Sequence, residues 1–139
     1  MASGDERMGT LGNMAPYGSE MLIVGPLLQQ AALNFRIPVP TLTGAIKVKS
    51  VKSFTTVVVT VNDSVVTVKK QHAAEGAVSM TGGVLTIAQS GSAVGIEDSC
   101  DITDDANARV PAGDFIVLAI AHTQADGEAV FFIEYERVQ

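Results

Sequence analysis

Tryptophan is absent from this chain, tyrosine occurs twice and cysteine once. A single cysteine, Cys100, excludes an intrachain disulfide and a cysteine-cluster metal site. With no neighbouring histidine to activate it, Cys100 reads as a small buried hydrophobe rather than a nucleophile. Charge is scarce too. Only 17% of residues are Asp, Glu, Lys or Arg, against roughly 25% in an ordinary soluble domain. The net charge of −6 argues against the phosphate-neutralising affinity of a nucleic-acid binder. No apolar run is long enough for a bilayer: "MLIVGPLLQQAAL" is interrupted by Gly25-Pro26. The start, "MASGDERM", lacks the basic stretch of a secretory signal. Neither nucleic acid nor membrane is therefore an expected partner.

What is present is valine, threonine and turn residues. The 139 residues are 47% hydrophobic, enough for one domain with a real core and with more apolar surface than a small monomer hides easily. Residues 1–28 are rich in Gly, Met and small polar types, have no sustained period of 2 or 3.6, and read as an extended N-terminal arm. Its expected anchors on a partner are Met8, Met14, Tyr17, Met21, Leu22 and Ile23. Residues 29–139 read as strand after strand. Pro38 and Pro40, two apart, forbid central pairing and mark an edge or a strand end. "AIKVKSVK" alternates, so one face is buried and one is wet. "TTVVVTVNDSVVTVKK" reads as a hairpin turning at Asn62-Asp63-Ser64. Valines crowd both faces of its first half, and Val58 is expected to lie against a second subunit. "AVSMTGGVLTIAQ" reads as two short strands around Gly82-Gly83. Pro111-Ala112-Gly113-Asp114 turns into a strong strand from Phe115 to His122, and Asp126-Gly127 turns into a last one. The fold class expected is all-β, an antiparallel β-sandwich or jelly roll preceded by the arm. Val57, Val59, Val61, Val84, Leu85, Ile116, Leu118, Ile120 and Phe132 are expected in its interior or interfaces. Val84 and Leu85 are adjacent and so face opposite ways.

Charges are segregated along the chain. Arg36 to Lys70 carries six bases against Asp63, and Glu97 to Glu136 carries ten acids against Arg109. Two such regions can pair between copies, so Lys47, Lys49, Asp104 and Asp105 are expected at an oligomer interface.

The acidic stretch from Gly95 to Asp114 invites a metal. An EF-hand opened at Asp101 needs Gly at its sixth position and Glu at its twelfth, where Ala106 and Ala112 stand. Acids on a loop also keep an edge soluble, and Asp98, Asp101 and Asp104 can each make local turns. His72 and His122 have no zinc spacing, and there is no Walker loop, no G-x-S-x-G and no G-x-G-x-x-G opening a helix. No enzyme, metal or cofactor is expected.

The strand text "GGVLTIAQSGSAVG", the following "EDS", "DANARV" and "PAGDFIVL", and the upstream "FRIPVPTLTGAIKVKSV" resemble small β-sandwich proteins of tailed bacteriophages. The resemblance covers roughly residues 31–138. It implies a capsid-decorating (cement) protein, or a domain of a head or tail fibre. The arm favours the cement protein: a homotrimer on the outer surface of the head, made in the host cytoplasm, that bridges neighbouring subunits of the major capsid protein. The alternative is an appendage module that recognises a host-surface glycan.

Overall fold

The computed structural model describes residues 19–29, 32–41, 44–121 and 126–138. Nine strands appear in it: β1 (Ser19–Leu28), β2 (Leu33–Pro38), β3 (Ile46–Val57), β4 (Ser64–Gln71), β5 (Val78–Ile87), β6 (Glu97–Asp101), the two-residue β7 (Arg109–Val110), β8 (Phe115–Ala121) and β9 (Glu128–Arg137). A single 3₁₀ turn, Ala106–Ala108, is the only helical element among the described residues.

The strands form two antiparallel sheets. The first runs β1-β9-β3-β6, with β7 also against β3, and the second runs β2-β8-β4-β5. Leaving β7 aside, the first strand pairs with the last, the second with the seventh, the third with the sixth and the fourth with the fifth. This is the wiring of a jelly roll, two sheets wound from one folded-over ribbon.

Alternation builds the core. In β3, Ile46, Val48 and Val51 point inward. In β8, Ile116, Leu118 and Ile120 do the same, opposite the inward faces of β9 (Ala129, Phe131, Ile133). Leu85 is fully buried while Val84 is 57% exposed, as adjacent strand residues must be. Of the other residues expected in the interior or at interfaces, Val59 is buried in the core, whereas Val57 and Val61 are exposed and Phe132 is half-buried on the outer face of the first sheet.

Four expectations change. Residues 19–28 are not arm but β1, hydrogen-bonded to β9 from Ser19↔Glu136 to Leu28↔Glu128. Asn62-Asp63-Ser64 closes no hairpin: β3 belongs to the first sheet and β4 to the second, so the segment carries the chain between layers. Val58 sits in that crossover, half-buried, and not in a strand with two apolar faces. Finally, Gly82-Gly83 does not separate two strands. It makes an irregularity within β5, where pairing jumps from Thr67↔Val84 to Lys69↔Ser79. Gly82 takes φ +81 there, and Thr103 N–H reaches Thr81 O at 2.8 Å, tying β5 to the chain that follows β6.

Candidate functional site

β1 and β2 are the edges of their respective sheets and lie on the same flank, so this side of the sandwich is closed by side chains rather than by backbone pairing. Two adjoining hollows mark it. One, of about 260 Å³, lies among Leu22, Ile37, Ile116 and Tyr135, with Pro38 and Pro40 beside it. The other, of about 300 Å³, shares Leu22, Ile37 and Pro38 and continues along Val24, Gly25 and Phe35. Together they form an apolar groove between two strand edges. Pro38, at the end of β2, has no N–H to offer there, which keeps part of the edge from pairing indiscriminately.

One end of the groove is fixed by an ionic clasp. Tyr135 Oη donates to Glu20 Oε1 at 2.9 Å, and Arg137 Nε lies 3.0 Å from Glu20 Oε2. Burial, and then the carboxylate beside it, push the Tyr135 phenol above its ordinary pKa. The clasp holds the start of β1 against β9 at this end of the groove.

Of the expected anchors, Met8, Met14 and Tyr17 lie outside the described residues. Leu22 points into the groove. Met21 and Ile23 alternate with it on the outer face, 54% and 63% exposed. Ile23 stands opposite Phe132, which meets Phe54 edge to face with ring centroids 5.3 Å apart. The outer face of the first sheet therefore carries an apolar strip beside its β1 edge.

The charged residues expected between copies meet within one chain. Lys47 Nζ lies 3.1 Å from both Asp104 and Glu136, and Lys49 reaches Glu136 at 3.7 Å. Lys52 pairs with Glu97 at 3.5 Å. The cause is topology. β3, which carries the lysines, runs between β9, which carries Glu136, and β6, which carries Glu97 and leads on to Asp104, so segregation along the sequence becomes neutralisation across the sheet. The hydrogen bonds from Lys47 to Asp104 and Glu136 raise its pKa. Charge separation thus gives no argument for association.

The acidic stretch is mostly an edge strand and a turn. Glu97 to Asp101 form β6, the outer strand of the first sheet, and Asp105 Oδ1 caps the 3₁₀ turn by accepting Asn107 N–H at 2.9 Å. Asp98 points inward, where burial raises its pKa, and its Oδ2, like the hydroxyls of Ser53 and Thr55, has no hydrogen-bond partner. Among the described residues no three His, Cys, Asp or Glu side chains gather as metal ligands, and no helix is long and apolar enough to cross a membrane. Cys100 is buried, and burial pushes its thiol up, away from the reactive thiolate. His72 is exposed and holds Asp114 at 2.7 Å; His122 lies outside the described residues.

The groove itself is what sequence reasoning missed. Its walls come from Phe35 to Pro40, from β1 and from Tyr135, and no local pattern reveals that two sheet edges will face each other. The paired prolines were the one available signal, since they mark β2 as an edge. No protein-family model, no curated protein and no solved structure matches this chain.

Proposed function

We propose that the protein is a structural component of a tailed-phage virion, a cement protein on the outer surface of the head that bridges neighbouring major capsid subunits. The observation that carries the reading is the β1 flank: an apolar groove with the exposed Met21 and Ile23 beside it, on a strand that follows residues 1–18 in the sequence. A protein that works by adding contact across joints needs such a surface and reach, and needs no reaction centre. Extended chain spans about 3.3 Å per residue, so 18 residues drawn out in that form cover some tens of ångströms. Each apolar side chain seated at a joint adds roughly 1.5–3 kcal/mol of burial, repeated at every copy on the shell. The phage resemblance of the strand text points the same way, as does the jelly-roll wiring, which recurs in viral capsid domains.

The glycan-binding alternative has less behind it. Sugar recognition favours an aromatic ring with a free face. Phe131 is fully buried, and Phe54 and Phe132 are half-buried against each other.

The test is decoration. Shells stripped of accessory proteins are incubated with the full chain or with a chain lacking residues 1–18, then pelleted through a sucrose cushion. The full chain is expected to pellet at a fixed ratio to shell subunits and the shortened chain to stay largely in the supernatant. Failure of the full chain to bind shells contradicts the proposal.

A further inference from the structure

Three buried polar atoms on the inner face of the first sheet have no hydrogen-bond partner among the described residues: Asp98 Oδ2, Ser53 Oγ and Thr55 Oγ1. They form one group. Ser53 and Asp98 stand opposite each other in the β3–β6 register, and Thr55 follows two places along β3, on the same face. No neighbour relieves them. On the far side of β3, Phe131 stands opposite Ser53 and Ala129 opposite Thr55. β5, packed across from β6 in the second sheet, carries no charge and turns Met80, Leu85 and Ile87 inward. The chain from residue 88 to 96 is uncharged as well. Lys52 of β3, and Glu97 and Asp101 of β6 itself, are exposed on the outer face, so Cys100 is the one titratable group on the same side of β6 as Asp98. A buried polar atom without a partner costs stability, and an inward carboxyl with no cation beside it costs most when ionised. Burial alone raises the Asp98 pKa.

β6 is also the strand with least to hold it. It is a sheet edge, it pairs with β3 alone, and its inward face consists of Asp98 and Cys100. Docking it therefore buries one small apolar side chain, where β5 buries three large ones. The two ends differ. Upstream, Val94 and Ile96 are exposed, and Gly95 takes φ +91 with open space around it. Downstream, Ile102 is buried, its N–H donates to Lys49 O at 2.9 Å, and Thr103 N–H donates to Thr81 O at 2.8 Å. We propose that Gly95 to Cys100 is a pH-gated flap, fastened at Ile102, that closes on β3 when Asp98 is protonated and opens more readily once Asp98 ionises. Opening parts the two backbone bonds at Thr55, Gly95 N–H to its carbonyl and its N–H to Ile96 O. In return the Asp98 carboxylate and both hydroxyls gain water. A closed-state pKa above the open-state value fixes the sign: closure is strongest below the ordinary 3.8, weakens as pH climbs from there and levels off above the raised value. The device is a property of the sandwich and does not depend on the virion reading.

Cys100, the only cysteine and buried on the inner side of the flap, reports the opening. Its rate of reaction with a dipyridyl disulfide is measured on the full chain from pH 4 to 8. Each rate is divided by that of a peptide of residues 95–102 at the same pH, which removes the change in thiolate fraction. The quotient is the open fraction. For the natural chain it should rise at least about threefold from pH 4 and then level off. In Asp98→Asn, which carries no charge at any pH, it should stay flat. Urea at 1 M should change it less than about twofold, because lifting a short segment exposes little surface, whereas global unfolding responds steeply. The proposal is overturned if the natural chain gives a flat profile, if Asp98→Asn keeps the rise, or if urea speeds labelling as steeply as it promotes global unfolding.

Discussion

Tyr135 and Glu20, 115 positions apart, are joined by a 2.9 Å hydrogen bond from phenol to carboxylate, and Arg137 closes on the other carboxylate oxygen at 3.0 Å. The three residues fasten the start of β1 to the end of β9, the last strand of the jelly roll. Glu20→Ala leaves a half-buried phenol without its acceptor and removes a charge-assisted bond. A loss of about 1–3 kcal/mol is expected in urea unfolding, with faster amide exchange confined to the start of β1. A change below about 0.3 kcal/mol contradicts the clasp.

The same contact sets where a truncation must stop. Removal of residues 1–18 should leave thermal unfolding nearly unchanged, whereas removal of residues 1–20 deletes Ser19 and Glu20 from β1 and should lower the melting temperature. Scanning calorimetry of the two chains decides it, and equal melting temperatures contradict the placement of Glu20.

His72 provides a pH signature. Its hydrogen bond to Asp114, with the charges of Asp114 and Glu75, raises its pKa above the ordinary 6.5. A folded-state pKa above the unfolded one means that the contribution is complete below pH 6.5 and fades as pH climbs through the raised value. NMR titration of the His72 ring should give a midpoint above 6.5 that returns towards it in Asp114→Asn. Equal midpoints in the two proteins rule the pairing out.

Gly82 and Gly91 both have positive φ, +81 and +75, but only Gly82 is confined: a Cβ there would strike the Asp101 carbonyl oxygen, while at Gly91 nothing lies within 4 Å. Gly91→Ala should cost about 1 kcal/mol from backbone strain alone. Gly82→Ala should cost more than about 2 kcal/mol, because β5 and the end of β6 must part as well. Similar losses at the two sites contradict the β5 irregularity.

The acidic stretch should need no metal. Its carboxylates are dispersed: Glu97 to Lys52, Asp104 to Lys47, Asp105 to the 3₁₀ turn and Asp98 inward. Chelator treatment should leave the melting temperature unchanged. A fall of several degrees that calcium reverses contradicts this, since a ligand specific for the native state must stabilise it.

Strand periodicity carried most of the fold in the sequence. The alternation through Ile46 to Val51, the turn before Phe115 and the opposed facing of Val84 and Leu85 are all local, and all stand in the structure. Local text is blind to which sheet a strand joins. Asn62-Asp63-Ser64 has turn chemistry whether it closes a hairpin or crosses between layers, and Gly82-Gly83 permits a reversal or a kink equally well. The lysines of β3 and the acids of β6 and β9 looked like complementary surfaces for two copies because their pairing is a consequence of strand order. The groove was hidden for the same reason: Leu22, Ile37 and Tyr135 come from three strands of two sheets.

The most direct measurement is a cryo-electron microscopic reconstruction of the native virion that carries this protein. Density for the jelly roll is expected on the outer surface of the head, over joints between major capsid subunits, with the β1 flank turned towards the shell. A sandwich found at the tip of a tail fibre, or a particle that lacks the protein, contradicts it.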